Sequence, residues 1–300
     1  MQPSTASRTA LVTSLMRALH ARADPQPIID DPWGDRLVPS AVCEAIRQRA
    51  IADGADAGLE GQALVAGWLR GSSAYATVLT RSRYAEDALH AAVAGGVTQY
   101  VLVGAGFDSY ALRTPAQVAH VDIYEVDHPA TQSLKRERIR ACGIALRDRV
   151  HFLAADLAAE RLDAVLARST FDPARPAFFS WLGVTMYLTR EANLATLRSI
   201  AGAAAEGSEL VFTYVDQAAF DRAGLADSAL ARSVASIGEP FLSGFDPGTL
   251  ARDLHGLGWT LLEDLDDARL VERYDPCGLD ALTPYGYSRI AHARVGSGAS

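Results

Sequence analysis

The sequence predicts an α/β protein with a doubly wound, mostly parallel sheet of seven strands, one of them antiparallel, preceded by a helical segment. An apolar, β-branched run over 100–103 passes directly into Gly104-Ala105-Gly106, which is typical of a buried parallel strand that enters a ligand-binding turn. From there on, short apolar runs alternate with helical patterns, as in other α/β proteins. A loop-rich stretch separates the last two apolar runs, and this predicts that they pair as an antiparallel hairpin that completes the sheet.

The strands are predicted from seven apolar runs that follow residue 95. These runs are 100–103, 121–126, 150–153, 176–184, 210–216, 259–263 and 285–295. Helical patterns separate the first six; they are a turn over 108–113 and helices over 130–141, 158–168, 190–204 and 246–257. Thr189 is a predicted N-cap, Pro247 is a predicted first helical residue, and 264–284 is predicted to be loop-rich. A dinucleotide-binding sheet usually has parallel strands only, so the final antiparallel strand favours the Rossmann-like sheet of methyltransferases that use S-adenosylmethionine (SAM).

The first 95 residues contain helical patterns and no clear strand. They include an apolar stripe over 9–22 and helices over 40–52 and 62–94, with a glycine-rich acidic loop over 53–61 between the last two. We therefore predict two parts, a helical lid or extension over 1–95 and a SAM-binding domain over 96–300 with an insertion at about 217–242. Such an extension could cover the ligand crevice or only one face of the sheet, and the sequence leaves both open.

The glycine turn discriminates between two classes of nucleoside ligand. A dinucleotide site has the pattern G-x-G-x-x-G, but here Ser109 stands at the third glycine position and the turn contains Asp108. A carboxylate beside the turn disfavours a pyrophosphate, whereas SAM has no phosphate and carries an ammonium and a sulfonium group. The turn favours SAM, and an NAD-dependent oxidoreductase is the alternative.

Ligands of open α/β sheets bind at the carboxyl ends of the strands, so the residues there are the candidate ligands. Asp127 ends the second strand and is placed to accept hydrogen bonds from the ribose hydroxyls, with Glu125 as the second choice. Asp156 and Leu157 follow the third strand and are placed to contact the adenine. Either Arg81 or Arg83, in the preceding helix, could pair with the SAM carboxylate. The predicted cofactor-binding residues are Arg81, Gly104, Ala105, Gly106, Asp127, Asp156, Leu157 and Leu182.

The acceptor chemistry is less constrained by the sequence than the cofactor site. Methyl transfer is an in-line displacement at a sulfonium carbon, in which the main task of an enzyme is positioning. A carboxylate acceptor is ionised at neutral pH and needs no base, whereas a hydroxyl acceptor needs one. None of the seven histidines is a clear candidate for that base. Tyr187 and Tyr214 are candidate acceptor-pocket residues, and no catalytic residue is assigned.

Composition excludes several other functions. The 300 residues have a net charge of −8 and no Lys/Arg block longer than the segment 135–138, so no nucleic-acid partner is expected. No apolar stretch approaches the ~20 residues of a membrane span. The three cysteines are far apart, which predicts neither a metal site nor disulfides. We expect a cytoplasmic protein with reduced thiols.

Several sequence blocks, taken together and in order, resemble the leucine carboxyl methyltransferase-like family of SAM-dependent methyltransferases. The combination of GAGFD over 104–108 with EVDHP over 125–129 is the most specific part of the resemblance. The matching blocks are Ser7-Arg8-Thr9-Ala10, Asp30-Asp31-Pro32-Trp33, Arg81-Ser82-Arg83, Val103-Gly104-Ala105-Gly106-Phe107-Asp108, Tyr124-Glu125-Val126-Asp127-His128-Pro129, Asp156-Leu157 and Trp181-Leu182-Gly183-Val184-Thr185-Met186-Tyr187-Leu188.

The resemblance implies a class I methyltransferase fold with an N-terminal helical lid, SAM as the cofactor, and SAM contacts from Arg81, Gly104, Asp127, Asp156 and Leu157. The family includes protein phosphatase carboxyl methyltransferases and bacterial O-methyltransferases, some of them in polyketide pathways. Two positions depart from the family pattern. Tyr110 stands where the family often has Arg, and Leu182 stands where its carboxyl methyltransferases have an acidic residue. The second departure is typical of the bacterial branch, whose acceptors are small molecules.

The sequence therefore predicts a SAM-dependent O-methyltransferase that acts on a carboxylate or hydroxyl of a small molecule, such as a polyketide or another secondary metabolite. Two alternatives are an NAD-dependent oxidoreductase and a SAM-binding module without catalytic activity. The identity of the acceptor and the oligomeric state stay open.

Overall fold

A seven-stranded sheet forms the centre of the computed structural model, which describes residues 6–54, 61–221, 231–232, 235 and 238–296. The strand order is β3-β2-β1-β4-β5-β7-β6, and β7 runs antiparallel to both β5 and β6. This confirms the predicted sheet. The strands are β1 Gln99–Val103, β2 Asp122–Asp127, β3 Val150–Ala154, β4 Ala177–Trp181, β5 Glu209–Val215, β6 Trp259–Asp266 and β7 Ser288–Val295.

Burial along the strands follows their place in the sheet. Every residue of β1, β4 and β5 is buried, because helices cover both faces of the central parallel strands. The edge strand β6 instead mixes buried with exposed residues. The strand order reverses between β1 and β4, which are hydrogen-bonded neighbours. Such a reversal opens a crevice at the carboxyl ends of the strands, and this is where a ligand is expected.

Four helices precede the sheet, which confirms the predicted helical segment: α1 Arg8–Ala23, α2 Ser40–Ala52, α3 Gly61–Arg70 and α4 Tyr75–Ala94. The stretch predicted as helical over 62–94 is two helices, α3 and α4. Ser7 caps α1, since its side chain accepts a hydrogen bond from the Ala10 N–H. The apolar face of α1 packs in a cluster with residues of α4 and with Phe107, beside the glycine turn. The other half of α4 packs against the sheet, with Leu89 and Tyr100 in one cluster. The two predicted parts of the chain therefore share a hydrophobic core along α4.

The remaining helices connect the strands. They are α5 Tyr110–Arg113, α6 Pro129–Ala141, α7 Leu162–Leu166, α8 Arg190–Ala203, α9 Ala218–Asp221, α10 Pro247–His255 and α11 Asp267–Tyr274, with single 3-10 turns at Ala116–Val118 and Thr185–Tyr187. The Thr189 side chain accepts a hydrogen bond from the Ala192 N–H, and Pro247 begins its helix, so both predictions are confirmed. Half of the predicted insertion at 217–242, and most of the loop predicted at 53–61, lies outside the described residues.

The structure corrects the prediction that 264–284 is loop-rich, because β6 continues to Asp266 and α11 follows it without a connecting loop. The Asp266 side chain caps α11 by accepting a hydrogen bond from the Arg269 N–H at 2.8 Å. Helix α11 has only eight residues, and Leu270 is its one fully buried apolar side chain. So short an apolar pattern gives little helical periodicity to detect.

Close packing around Gly34 leads us to predict that a side chain at this position lowers the stability of the protein. A Cβ at this position would lie 2.1 Å from the Ser14 carbonyl oxygen in α1, closer than any real contact. We expect Gly34→Ala to destabilise the protein by about 1–3 kcal/mol, because the backbone must move apart. Gly202→Ala in α8 is the matched control, since its Cβ meets nothing within 4 Å. Urea denaturation should show a loss for Gly34→Ala alone; equal midpoints for the two variants would contradict this packing.

Candidate functional site

A cavity of about 590 Å³ lies at the carboxyl ends of the parallel strands, at the reversal point of the sheet. Its walls come from the residues that follow β1, β2, β3 and β4, from α1 and α4, and from the segment 238–242. The volume is in the range of about 300–1,000 Å³ that is typical of small-molecule sites. This cavity contains all eight residues that the sequence predicts to bind the cofactor: Arg81, Gly104, Ala105, Gly106, Asp127, Asp156, Leu157 and Leu182.

The glycine loop, residues 104–108, needs glycine at two positions. Gly104 and Gly106 have φ angles of 71° and 52°, in the left-handed region that disfavours residues with a Cβ. A Cβ on Gly104 would lie 2.6 Å from the Val184 side chain, and one on Gly106 would lie 3.0 Å from Ala10 Cβ. The glycine loop is therefore held between α1 and the segment that follows β4, with its backbone at the cavity wall.

Asp127 is the last residue of β2 and fixes the glycine loop. One of its carboxylate oxygens accepts a hydrogen bond from the Gly106 N–H, and the other accepts one from the His128 N–H at 2.6 Å. Burial raises the pKa of Asp127, and these two N–H groups oppose the rise. The carboxylate thus lies at the cavity wall with lone pairs left for further donors, such as a pair of ribose hydroxyls.

Glu125, the second choice for a ribose ligand, does not line the described cavity. Its carboxylate lies in the core, where it accepts a hydrogen bond from Lys135 Nζ at 2.5 Å. Burial raises the pKa of Glu125 to about 7, although the Lys135 charge opposes the rise. Glu125 shares a strand face with Asp127 but lies two residues deeper, under α6, which explains the difference.

Asp156 and Leu157 follow β3 at the other end of the cavity. The Asp156 side chain is exposed, and one of its oxygens accepts a hydrogen bond from the Ala158 N–H at 3.0 Å. Its second oxygen has no hydrogen bond to any residue that the structure describes, so it is available to a donor such as an exocyclic amino group.

Arg81, in α4, places a positive charge in the cavity. Its guanidinium group packs on Gly183, where a Cβ would lie only 2.7–2.9 Å from three guanidinium atoms. Within the described ranges, no carboxylate lies within salt-bridge distance of Arg81. Burial lowers the pKa of Arg81 to about 10, which still leaves it charged at neutral pH. Arg83 differs, since it contacts Asp87 and the Ile28 carbonyl and does not line the cavity.

Sequence reasoning missed the polar face of α1. Thr9, Thr13 and Arg17 recur every four residues, so they lie on one side of the helix, and all three line the cavity. Arg17 donates hydrogen bonds to Asp31 at 2.9 Å and to the Phe107 carbonyl in the glycine loop at 2.6 Å. Burial opposes ionisation of Asp31, but the Arg17 charge outweighs it and lowers the pKa. The four-residue spacing of polar residues within an apolar helix was the available signal.

The two tyrosines predicted for the acceptor pocket have different environments. Tyr187 lines the cavity and packs against Phe241 with 5.5 Å between ring centroids. The prediction for Tyr214 is wrong, because this residue lies in the core and does not line the cavity. Its hydroxyl is 2.9 Å from Asp264 and from Arg289 Nε. Alternation along β5 directs this side chain away from the cavity. The hydroxyl oxygen of Thr213, the residue before it, instead accepts a hydrogen bond from the Gly183 N–H at the cavity wall, at 2.7 Å.

Two features are absent from the part of the chain that the structure describes. There, no group of three or more His, Cys, Asp or Glu side chains is arranged to hold a metal ion. In the same residues, no helix is long and apolar enough to cross a membrane.

A seven-stranded sheet with a single antiparallel strand and a cavity at its reversal point defines the class I methyltransferase architecture. The chain belongs to the leucine carboxyl methyltransferase family, whose family model matches residues 10–201. This is the family indicated by the sequence blocks.

Similar proteins agree with this assignment. A Bacillus subtilis protein, YktD, is 27% identical over 98% of this chain and 99% of its own length, and its name proposes a SAM-dependent methyltransferase. A Mycolicibacterium smegmatis protein with the same kind of name is 32% identical over 84% of this chain and 82% of its own. The solved structure of a DUF574 family protein from Streptomyces avermitilis shares the fold with a TM-score of 0.57, at 16% identity over 97% of both chains.

Proposed function

We propose that this SAM-dependent methyltransferase methylates an oxygen, of a carboxylate or hydroxyl group, on a small molecule. The observation that carries the proposal is the Arg81 guanidinium, a half-buried cation without a carboxylate partner among the described residues, in the same cavity as the glycine loop and Asp127. A ligand that combines a carboxylate with a nucleoside would supply an anionic partner for Arg81 and hydroxyl donors for Asp127.

The donor set fits SAM from one end of the cavity to the other. Arg81 would bind the carboxylate, the glycine loop would lie along the methionyl chain, and Asp127 would accept hydrogen bonds from the ribose. Asp156 and the backbone of Leu157 would contact the adenine. When bound, SAM supplies a methyl group on a positively charged sulfur. The four carboxylates of the cavity wall suit that charge, whereas they would repel the pyrophosphate of NAD.

The remaining walls of the cavity surround the acceptor. The residues after β4, from Leu182 to Leu188, lie next to the glycine loop, and the segment 238–242 lies beyond them. Helix α1 covers the glycine loop through the contacts of Ala10 and Arg17, so it limits access of water to the cofactor. The role of the protein is to hold the acceptor oxygen in line with the methyl group. A small-molecule acceptor, such as a secondary metabolite, suits a cavity of this size.

An assay of methyl transfer tests the proposal. The purified protein is incubated with SAM and a panel of small hydroxyl and carboxylate compounds, and S-adenosylhomocysteine (SAH) and methylated products are measured by mass spectrometry. Treatment with alkali then distinguishes methyl esters, which are hydrolysed, from methyl ethers, which survive. We expect SAH release with at least one oxygen acceptor. SAM binding without SAH release from any acceptor would favour the alternative of a non-catalytic SAM-binding module.

A further inference from the structure

The described lining of the cavity carries an excess of negative charge. Of the described residues that line it, four are acidic and two are basic: Asp108, Asp127, Asp156 and Glu239 against Arg17 and Arg81. The charge of Arg17 is also offset by its partner Asp31, which is fully buried. SAM adds one net positive charge, so the described lining of the cavity stays negative with the cofactor bound. A negatively charged acceptor would therefore be repelled.

Glu239 is the acidic residue on the acceptor side. It lies in the segment 238–242, next to α1, where its carboxylate accepts a hydrogen bond from the Thr9 hydroxyl. No basic side chain in the described ranges pairs with Glu239. The segment itself is anchored beyond β4, because the Leu242 N–H donates to the Met186 carbonyl and the Ser243 hydroxyl donates to the Leu188 carbonyl, both at 2.7 Å. The carboxylate is thus held in a fixed place at the cavity wall.

Apart from the hydroxyl groups of Thr9 and Tyr187, the described wall around Glu239 is apolar. Tyr187, Leu188, Pro240 and Leu242 line this side, and Leu242 is 52% exposed although it is a large apolar residue. Burial and the Glu239 charge raise the pKa of Tyr187 to about 12, so its hydroxyl stays neutral. The acceptor side thus combines one carboxylate with apolar surface that an apolar ligand would cover.

We infer that the acceptor is an uncharged hydroxyl compound with an apolar, ring-sized body, and that Glu239 accepts its proton; this inference rests on the proposed function. The acceptor oxygen forms a bond to the methyl carbon while the bond from that carbon to sulfur breaks, and the electron pair of the broken bond stays on sulfur. The hydroxyl proton passes to the Glu239 carboxylate and from there to water. The products are a methyl ether, SAH and a proton.

A pair of probes with the same ring system tests the inference. SAH is first titrated into the protein; if SAH does not bind, the proposed function fails, and the failure is distinct from that of this inference. The SAH complex is then titrated at neutral pH with 2-naphthol, which is neutral, and with 2-naphthoate, which is an anion. We expect 2-naphthol to bind at least ~10-fold more tightly, and with SAM to form 2-methoxynaphthalene. Tighter binding of 2-naphthoate, formation of its methyl ester, or binding of neither probe would overturn the inference.

A Glu239→Gln variant separates the charge from the shape of the site. Glutamine retains an oxygen for the Thr9 hydroxyl but cannot take up a proton. We expect the preference for 2-naphthol over 2-naphthoate to fall by about 10-fold, and kcat for 2-naphthol to fall by about 100-fold or more with little change in KM. Glu272→Gln makes the same charge change on the exposed face of α11, outside the cavity, and is the control. An unchanged preference and kcat in Glu239→Gln, or the same change in the control, would overturn the role of Glu239.

Discussion

Replacing Asp127 with alanine is expected to weaken SAH binding by about 100-fold or more. A hydrogen bond to a charged group contributes about 1.5–3 kcal/mol, and two ribose hydroxyls would together lose at least about 3 kcal/mol. The variant also releases the Gly106 N–H, which Asp127 holds in the native protein, so the glycine loop loses its fixed position. Calorimetric titration with SAH measures the change.

Asp122→Ala is the matched control for this experiment. Asp122 begins the same strand that Asp127 ends. It pairs with Arg149 at that other end of the strand, outside the cavity. A half-exposed pair of this kind contributes little to stability. We expect the control to bind SAH as the native protein does. Equal affinity in Asp127→Ala and the native protein would show that Asp127 is not the ribose ligand.

Replacing Arg81 with glutamine is expected to remove the recognition of the amino-acid end of the cofactor. The guanidinium group has no carboxylate partner in the described residues, and it packs on Gly183, so its position is set before a ligand arrives. Loss of a charged pair in a buried site should weaken SAH binding by about 3 kcal/mol, on the order of 100-fold. The affinity for 5′-methylthioadenosine, which has the nucleoside but no carboxylate, should stay unchanged.

Arg83→Gln distinguishes the two arginines of this block. Arg83 pairs with Asp87 and donates to the Ile28 carbonyl, so its loss should leave SAH binding nearly unchanged. Asp127→Ala, in contrast with Arg81→Gln, should weaken the binding of SAH and of 5′-methylthioadenosine alike. A loss of 5′-methylthioadenosine binding in Arg81→Gln would mean that Arg81 shapes the cavity rather than binds the carboxylate.

The sheet, and the fact that the residues following its strands line one cavity, could be predicted because both depend on local patterns. Buried parallel strands are apolar without interruption, and the residues after them meet at one edge of the sheet. The positions of Gly104, Asp127 and Asp156 follow from that rule alone. The choice of Arg81 over Arg83 did not follow, because it depends on which side of α4 faces Gly183, and both residues are compatible with the helical pattern.

The residues on the acceptor side of the cavity could not be predicted, because they come from distant segments of the chain. Glu239 and Thr9 are 230 positions apart in the chain, and no local pattern relates them. Tyr214 lies within an apolar run and Tyr187 follows one closely, yet the alternation along β5 directs the Tyr214 hydroxyl to Asp264 and Arg289. Contacts between distant segments thus decide which polar side chains reach the cavity.

Calorimetric titration of the native protein with SAM, SAH and NAD is the most direct test of the central claim that this cavity binds SAM. We expect SAM and SAH to bind with micromolar affinity and NAD to give no heat of binding. Binding of NAD in the absence of SAM binding would contradict the claim and would favour the alternative that the glycine loop binds a dinucleotide.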